Sequence, residues 1–375
     1  MTLESAVSRA SFVSALAAEA AAGRKALLLA PLGAGKSHAL VAAREALAAK
    51  GVPFVFLDLF TAASTPERLL FTIAQSVSPL MPGEKGAIET IAAEGARDRR
   101  QSSGALLRLF DLLATRVPRA PFVWLVDEVT EIRSLAYFPD LGDLEVPFAK
   151  ALSASRGAIL TSSYLGLAQA LFPDLEREAL PGLTPQDLEN RPWLRSDSDG
   201  VAAALLLTGG SAGTLLPLLA DLRDSRAVTR SLSGLLRPGG ALELICRRHY
   251  EVLLMRSRGY AVSKRAAEVV AGASDQRLTD LFPLIGRTPG ASRQYLRWLV
   301  EVGLLTQTRK RYNFTDPMVG LWAELYLGRG GHPTDEEIVA AVTRRLEPVP
   351  VGEPAEAALP APRPPRRADR FEEID

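Results

Sequence analysis

The chain has little sulfur and little imidazole. Its one cysteine, Cys246, cannot form an internal disulfide, and three separated histidines offer no zinc cluster. Cys246 is expected to be a small buried apolar residue. An excess of either charge is missing too. With 44 Lys and Arg against 43 Asp and Glu, whole-chain charge points to no class of partner, so any nucleic-acid surface has to be local. Long apolar runs are absent: the best, 26–32 and 201–207, fall far short of the roughly 20 residues a membrane helix needs. Glu4 and Arg9 interrupt the first stretch, and the Ala-rich pattern from Ser11 to Ala22 ends in Gly-Arg-Lys, unlike a secretory leader. These absences predict a soluble, cytoplasmic protein without a membrane partner.

What is present is an ordinary globular composition over 375 residues, enough for two or three domains. Lys25 to Ala30 reads as a short buried strand, and a helix pattern follows from Ser37 to Lys50, stopped by Gly51. Further strands are expected at Val52–Phe60, Pro121–Glu128 and Gly157–Ser163, with helices between them. One such helix opens at Thr65-Pro66-Glu67 and another covers Leu106–Val117, while Pro79–Arg100 reads as an insertion or a mobile loop. Strand and helix in alternation predict a parallel α/β sheet covered on both faces. From Thr184 to Ser225 the pattern becomes all-helical, and Gly234–Arg258 reads as one long helix.

The segment Ala30-Pro31-Leu32-Gly33-Ala34-Gly35-Lys36-Ser37 follows a strand and precedes a helix, the setting that a phosphate-binding loop requires. Its glycines allow successive backbone N–H groups to turn inward around phosphate oxygens, and the helix N-terminus adds positive potential. Pro31 to Ser37, with His38, are therefore the expected nucleotide contacts. Lys36 would reach the β- and γ-phosphates, and the Ser37 hydroxyl would ligate Mg²⁺. Ala30 stands where this pattern usually begins with glycine, at the strand end and away from the phosphates.

About 90 residues downstream an apolar strand ends in Asp127-Glu128. Asp127 is placed to hold Mg²⁺ through water, and Glu128 to polarise the attacking water. A polar residue at the tip of the neighbouring strand should touch the γ-phosphate. Thr161, Ser162 and Ser163 occupy that tip, and Ser162 is the candidate. Guanine selectivity in P-loop GTPases needs an Asn-Lys-x-Asp segment. The two asparagines, Asn190 and Asn313, are not followed by Lys, so the nucleotide is expected to be ATP.

Together the 30–37 loop, the Asp127-Glu128 strand and the Ile159–Ser163 strand tip resemble the AAA+/STAND branch of P-loop ATPases, most nearly the archaeal-type ATPase family. Leu180–Leu188, with its Pro-Gly-Leu-Thr-Pro-Gln-Asp run, resembles the start of that family's helical lid, and Thr208–Gly213 resembles a turn of the lid. The resemblance covers about residues 10–330. It implies a P-loop NTPase sheet of AAA+/ASCE type, then a helical lid and a winged helix-turn-helix domain, with nucleotide between sheet and lid. An arginine finger is not evident. Arg133, Arg156 and Arg177 are candidates.

The last of these units is also legible in the residues themselves. Helix patterns at Lys264–Ala271, Arg277–Ile285 and Ala291–Val302 precede a hairpin with Arg309-Lys310-Arg311 at its tip, which is the winged order. On the third helix Tyr295, Leu296, Leu299 and Val300 are expected inward, and Ser292, Arg293, Gln294 and Arg297 outward. Arg and Gln suit base edges, and residues 256–329 hold twelve Lys and Arg against six Asp and Glu. Arg293, Gln294, Arg297, Arg309, Lys310 and Arg311 are thus candidates for duplex DNA. Docking to protein is the competing use of such a unit.

Finally, 347–375 carries seven prolines and no apolar periodicity, the composition of a disordered tail. Phe371 and Ile374 stand out there as a docking peptide for a protein partner. The expected domains are 1–180 (ATPase core), 181–258 (lid and connecting helix), 259–330 (winged helix) and 331–375 (short helix and tail). The expected function is an ATP-hydrolysing switch, with oligomerisation left open. The alternative is a DNA-binding regulator whose occupancy ATP tunes.

Overall fold

A computed structural model describes residues 9–115, 120–189, 194, 198–222, 228–272, 275–328 and 331–347. The first half alternates helix and strand in the order α1 (Ala10–Ala22), β1 (Lys25–Leu29), α2 (Lys36–Ala49), β2 (Phe54–Asp58), α3 (Leu59–Ala62), α4 (Pro66–Val77), α5 (Lys85–Arg97), α6 (Ser102–Thr115), β3 (Ala120–Asp127), α7 (Glu145–Ala154), β4 (Ser155–Ser162), α8 (Leu165–Leu171) and β5 (Glu176–Ala179). The five strands form one parallel sheet ordered β2-β3-β4-β1-β5. The apolar runs of β1, β3 and β4 follow from burial on both faces. Alternation sorts the side chains: Ala26, Leu28, Val123, Leu125 and Ile159 pack with α1 and α2, while Leu27, Trp124, Val126, Ala158 and Leu160 pack with α4, α6 and α7. Phe122, Trp124 and Phe148 meet edge to face behind β3, bracing the strand that ends in Asp127.

Several expectations are corrected here. The strand expected to reach Phe60 stops at Asp58, whose carboxylate accepts from Phe60 N at 3.0 Å and turns the chain into α3. The segment read as an insertion or a mobile loop, 79–100, is largely helix α5, because Ile88 is drawn into the core between α4 and α6. The edge strand β5 was not anticipated. Its four residues Glu-Arg-Glu-Ala carry no strand signal and are held by pairing to β1.

The second half continues as α9 (Pro185–Leu188), α10 (Ser198–Thr208), α11 (Ala212–Asp221), α12 (Val228–Leu236), α13 (Ala241–Arg256), α14 (Tyr260–Gly272), β6 (Gln276–Arg277), α15 (Leu278–Ile285), α16 (Pro289–Glu301), β7 (Leu305–Thr308), β8 (Arg311–Phe314), α17 (Pro317–Tyr326) and α18 (Asp335–Leu346). The single helix expected over 234–258 is two, because Pro238-Gly239-Gly240 breaks it and Gly239 takes a φ of +77°. One hydrophobic cluster runs from Leu183 to Val342, so the helices after β5 and the small antiparallel sheet β6-β8-β7 share a core. Ser292, expected to face outward on α16, is fully buried with Leu296 and Leu299 on the inner face. No described helix is long and apolar enough to cross a membrane. The proline-rich segment with Phe371 and Ile374 lies outside the described residues.

Candidate functional site

Parallel pairing sets Leu29 level with Ser162 and Asp58 level with Asp127, so the loop after β1 and the acidic end of β3 open on the same edge of the sheet. In that loop Gly33 and Gly35 take φ values of +80° and +96°, which a side chain would strain. Gly35 is the left-handed residue that starts α2. Lys36, the first residue of that helix, is buried, and its Nζ donates to the carbonyls of Ala30 and Pro31, both at 2.9 Å. Burial lowers its pKa to about 8, with Arg256 adding to the fall and Glu128 and Asp127 opposing it. Ser37 and His38 lie exposed on the first turn of α2.

Across from the loop, Asp127 is buried and accepts from the Thr161 hydroxyl, which in turn accepts from Glu128 N at 3.2 Å. Glu128 is held at φ +50°, a left-handed conformation that costs a non-glycine residue about 1–2 kcal/mol. Its carboxylate accepts from the backbone N–H and the hydroxyl of Ser163, at 3.0 and 2.9 Å. Ser162, the expected γ-phosphate contact, points to the other face: its Oγ lies 3.1 Å from Thr130 Oγ1 and accepts from Tyr164 N at 2.9 Å. Strand alternation explains the correction, since Ser162 follows Leu160 onto the α7 side while Thr161 shares the α2 side with Asp127.

Residues far away in sequence complete the site. Arg9, just before α1, donates to Ala34 O at 2.9 Å and to Pro181 O at 2.6 Å, tying the 30–37 loop to the start of the helical half. Gly213 N donates to Gly33 O at 2.8 Å. His249 of α13 covers Gly33 so closely that a Cβ there would collide with its ring. Burial, then the charges of Arg248 and Lys36, lower its pKa to about 4. Arg256, seven residues further along α13, donates to Ser163 Oγ at 3.0 Å and lies 4.0 Å from Glu131. Sequence reasoning assigned none of Arg9, His249 and Arg256 to the site. Periodicity places a helix but not the distant surface it crosses.

Of the earlier arginine candidates, Arg133 and Arg156 are committed elsewhere. Arg133 pairs with Glu145 at 3.0 Å, Arg156 donates to Ala21 O at the start of β4, and Arg177 sits opposite Leu27 in mid-strand. Of the proposed DNA contacts, Arg293 is exposed, Gln294 half-buried, and Arg297 exposed but 3.2 Å from Glu301. Arg309 and Lys310 form the exposed hairpin tip, both with positive φ. Arg311 is tied back to the Asp275 carbonyl and carboxylate, at 2.6 and 3.2 Å.

The residues suit a nucleotide with its metal. A buried ammonium meets only loop carbonyls, and the buried His249 Nδ1 beside Gly33 has no hydrogen-bond partner. No group of three His, Cys, Asp or Glu among the described residues forms a metal cage. Ser37 and Asp127 are the residues that would hold Mg²⁺, which keeps several waters and takes substrate phosphates beside one or two protein ligands. A parallel sheet in this order, with a glycine-containing loop after β1 and an acidic end on β3, fits a P-loop NTPase fold. Among solved structures the chain is similar to the Walker-type ATPase PABY2304 of Pyrococcus abyssi, with a TM-score of 0.55 at 17% identity over 83% of this chain and 94% of that one. A mutant form of Thermotoga maritima RuvB (TM-score 0.39, 14% identity, 84% and 94% coverage) and a replication initiator DnaA bound to AMPPCP and single-stranded DNA (0.28, 13%, 79% and 90%) also align, with too little shared geometry to carry an argument. No family model and no curated protein matches the chain.

Proposed function

We propose that the chain binds ATP at 31–38 and hydrolyses it, with Arg9 and the start of the helical half closing over the nucleotide. The observation that carries this is the convergence of buried Lys36, buried Asp127 and the strained Glu128 on one edge of the sheet. Lys36 leaves the carbonyls of Ala30 and Pro31 for the β- and γ-phosphates. The Ser37 hydroxyl and, through water, Asp127 would hold Mg²⁺, which supplies electrostatic compensation when bound. Glu128 takes a proton from the attacking water. The water oxygen bonds to the γ-phosphorus, and the bond to the β–γ bridging oxygen breaks with its electron pair remaining on ADP.

By role the chain divides into an ATPase core (1–180), a lid with its connecting helix (181–258), a winged helix (259–330) and a short helix with its tail (331–375). The end of α16 packs on α8: a Cβ on Gly166 would come within 2.8 Å of Glu301 O, which supports reading 259–330 as a unit docked on the core at one end. The other end of α16 carries exposed Arg293 and lies near the hairpin, since its charge lowers the Tyr312 pKa that burial otherwise raises. This arrangement supports a switch: nucleotide loosens or tightens the docked end while the free basic end meets duplex DNA. ATP turnover measured with and without duplex DNA tests it. Turnover by the protein alone supports the ATPase reading. Strongly salt-dependent DNA binding without turnover instead favours a DNA-binding regulator tuned by ATP.

A further inference from the structure

On the face of the sheet opposite α1 and α2, α4 and α5 run antiparallel. Gly95 of α5 lies so close to Leu70 of α4 that a Cβ there would collide with the leucine side chain. Outside that contact the two helices leave a groove of about 490 Å³, a volume within the range of ligand pockets. Ala74, Ile88, Ala92, Ala93 and Ala96 line it, and Phe71 stands beside them 60% exposed. The short side chains of α5 open the space, and an open apolar surface of this kind marks a place where something binds. The charges around the groove are uneven. Lys85 pairs with Glu89 at 3.8 Å, and Arg108 pairs with Glu94. Arg68 of α4 and Arg97 and Arg100 at the far end of α5 are exposed and have no carboxylate partner among the described residues. Because the helices are antiparallel, these three arginines lie at one end of the pair. Asp98, between the last two, accepts from Arg100 N at 2.9 Å.

We propose that the groove between α4 and α5 is the docking site for the chain's own segment 370–375, Arg-Phe-Glu-Glu-Ile-Asp, with Phe371 and Ile374 in the groove and the carboxylates at its arginine end. Both halves of the match lie in one short segment: two large apolar side chains meet an apolar groove, and three carboxylates meet three exposed arginines. The charges also set a direction. Glu89 lies near the start of α5, away from Arg97, and so faces Arg370 when Glu373 faces Arg97. Reach is sufficient. Residues 348–370, which follow α18, span up to roughly 80 Å, against about 50 Å across a compact unit of this size. Two buried side chains bind weakly by themselves, and exposed ion pairs add little. A tether holds the segment at an effective concentration near millimolar, which raises occupancy without any stronger contact. No groove residue belongs to the nucleotide site, so the inference stands apart from the ATPase reading.

The test is cross-linking within the full-length chain. Asp369→Cys is combined with Ala93→Cys in the groove or, as the control, with Lys50→Cys at the end of α2 on the opposite face, and a short bismaleimide joins the two thiols. Cys246 is buried and stays out of the reaction. At low protein concentration the Ala93 pair is expected to join within one chain at least about tenfold faster than the Lys50 pair, because a docked segment exceeds the effective concentration of a merely tethered one. Adding Phe371→Ala with Ile374→Ala should erase that preference. Adding Arg97→Glu with Arg100→Glu should lower it by about threefold, and Glu373→Arg should restore part of it. Amide exchange of α5 in the parent should be slower than in the variant carrying Phe371→Ala and Ile374→Ala. Equal rates for the two cysteine pairs overturn the inference, as does a preference that survives loss of Phe371 and Ile374. Cross-links that form only between chains and rise with concentration overturn it too, since a second copy then fills the groove. Charge reversal without effect overturns the seating of the acidic residues at the arginine end.

Discussion

The phosphate edge of the large sheet and the basic hairpin of the small one both gather cations, and they hold them in opposite ways. Lys36 is buried against two carbonyls with its pKa lowered to about 8, and Arg256 is fixed by Ser163 and Tyr164. Arg309 and Lys310 stand exposed at a two-residue turn, and Arg297 has only a neighbour one turn away. A buried cation carries a desolvation penalty that an arriving anion relieves, so it selects its ligand strongly. An exposed cation has little to relieve and attracts any polyanion through a field that salt screens. The proposed function accordingly assigns a specific site to the first region and a salt-dependent surface to the second.

The sharpest way to break this contrast is at Lys36. Lys36→Ala is expected to abolish ATP binding measurable by calorimetry while leaving the fold intact. Removal of the buried charge should raise thermal stability or leave it level. Unchanged nucleotide affinity would remove the phosphate site from 31–38 altogether.

A second effect follows from the lowered pKa. Between about 8 and the ordinary 10.5 the unfolded chain binds more protons at Lys36 than the folded one. Stability therefore rises with pH through that window, and the penalty of burying the charge is fully present below it. For nucleotide-free protein this amounts to about 3 kcal/mol. ATP affinity should move the other way. Above pH 8 the free site must take up a proton to bind, so affinity falls by up to about tenfold per pH unit. Lys36→Arg should flatten that fall, and a binding curve level from pH 7 to 9.5 would contradict it.

At the hairpin the expected effects are smaller. Replacing Arg309 and Lys310 with Ala should weaken binding to all duplexes and flatten the salt dependence by about two charges. Arg311→Ala should add little to it, because Arg311 is committed to Asp275. Arg293→Ala should cost roughly 1–3 kcal/mol and act mainly on preferred sequences. Absence of any gel shift at about 50 mM salt, with or without ATP, would make this end a protein-docking surface. Smallest of all is the tail: truncation before Pro348 is expected to leave ATP turnover unchanged, and a loss of activity or solubility would contradict that.

The two regions also differ in how much the sequence disclosed. The phosphate loop and the acidic end of β3 are local patterns, set by residues within one strand and one turn, and so they are readable in order. Ser162 was misplaced by a single residue of alternation, which depends on which face of β4 meets α2. Arg9, His249 and Arg256 reach the site through packing between segments distant in the chain, and nothing in their neighbours marks them. The hairpin and the helices before it were legible as elements. The commitment of Arg311 and the burial of Ser292 were not, since both depend on partners outside those elements. Helix α5 was hidden by glycines and charges that only contact with α4 and α6 makes helical.

The most direct test is ATP hydrolysis by Glu128→Gln beside the parent protein, with ATP affinity measured on the same samples. If Glu128 accepts the proton of the attacking water, the variant binds ATP as the parent does and turns it over at least about 10²-fold more slowly. A variant hydrolysing ATP at the parental rate would show that the base, and with it the proposed active site, lies elsewhere.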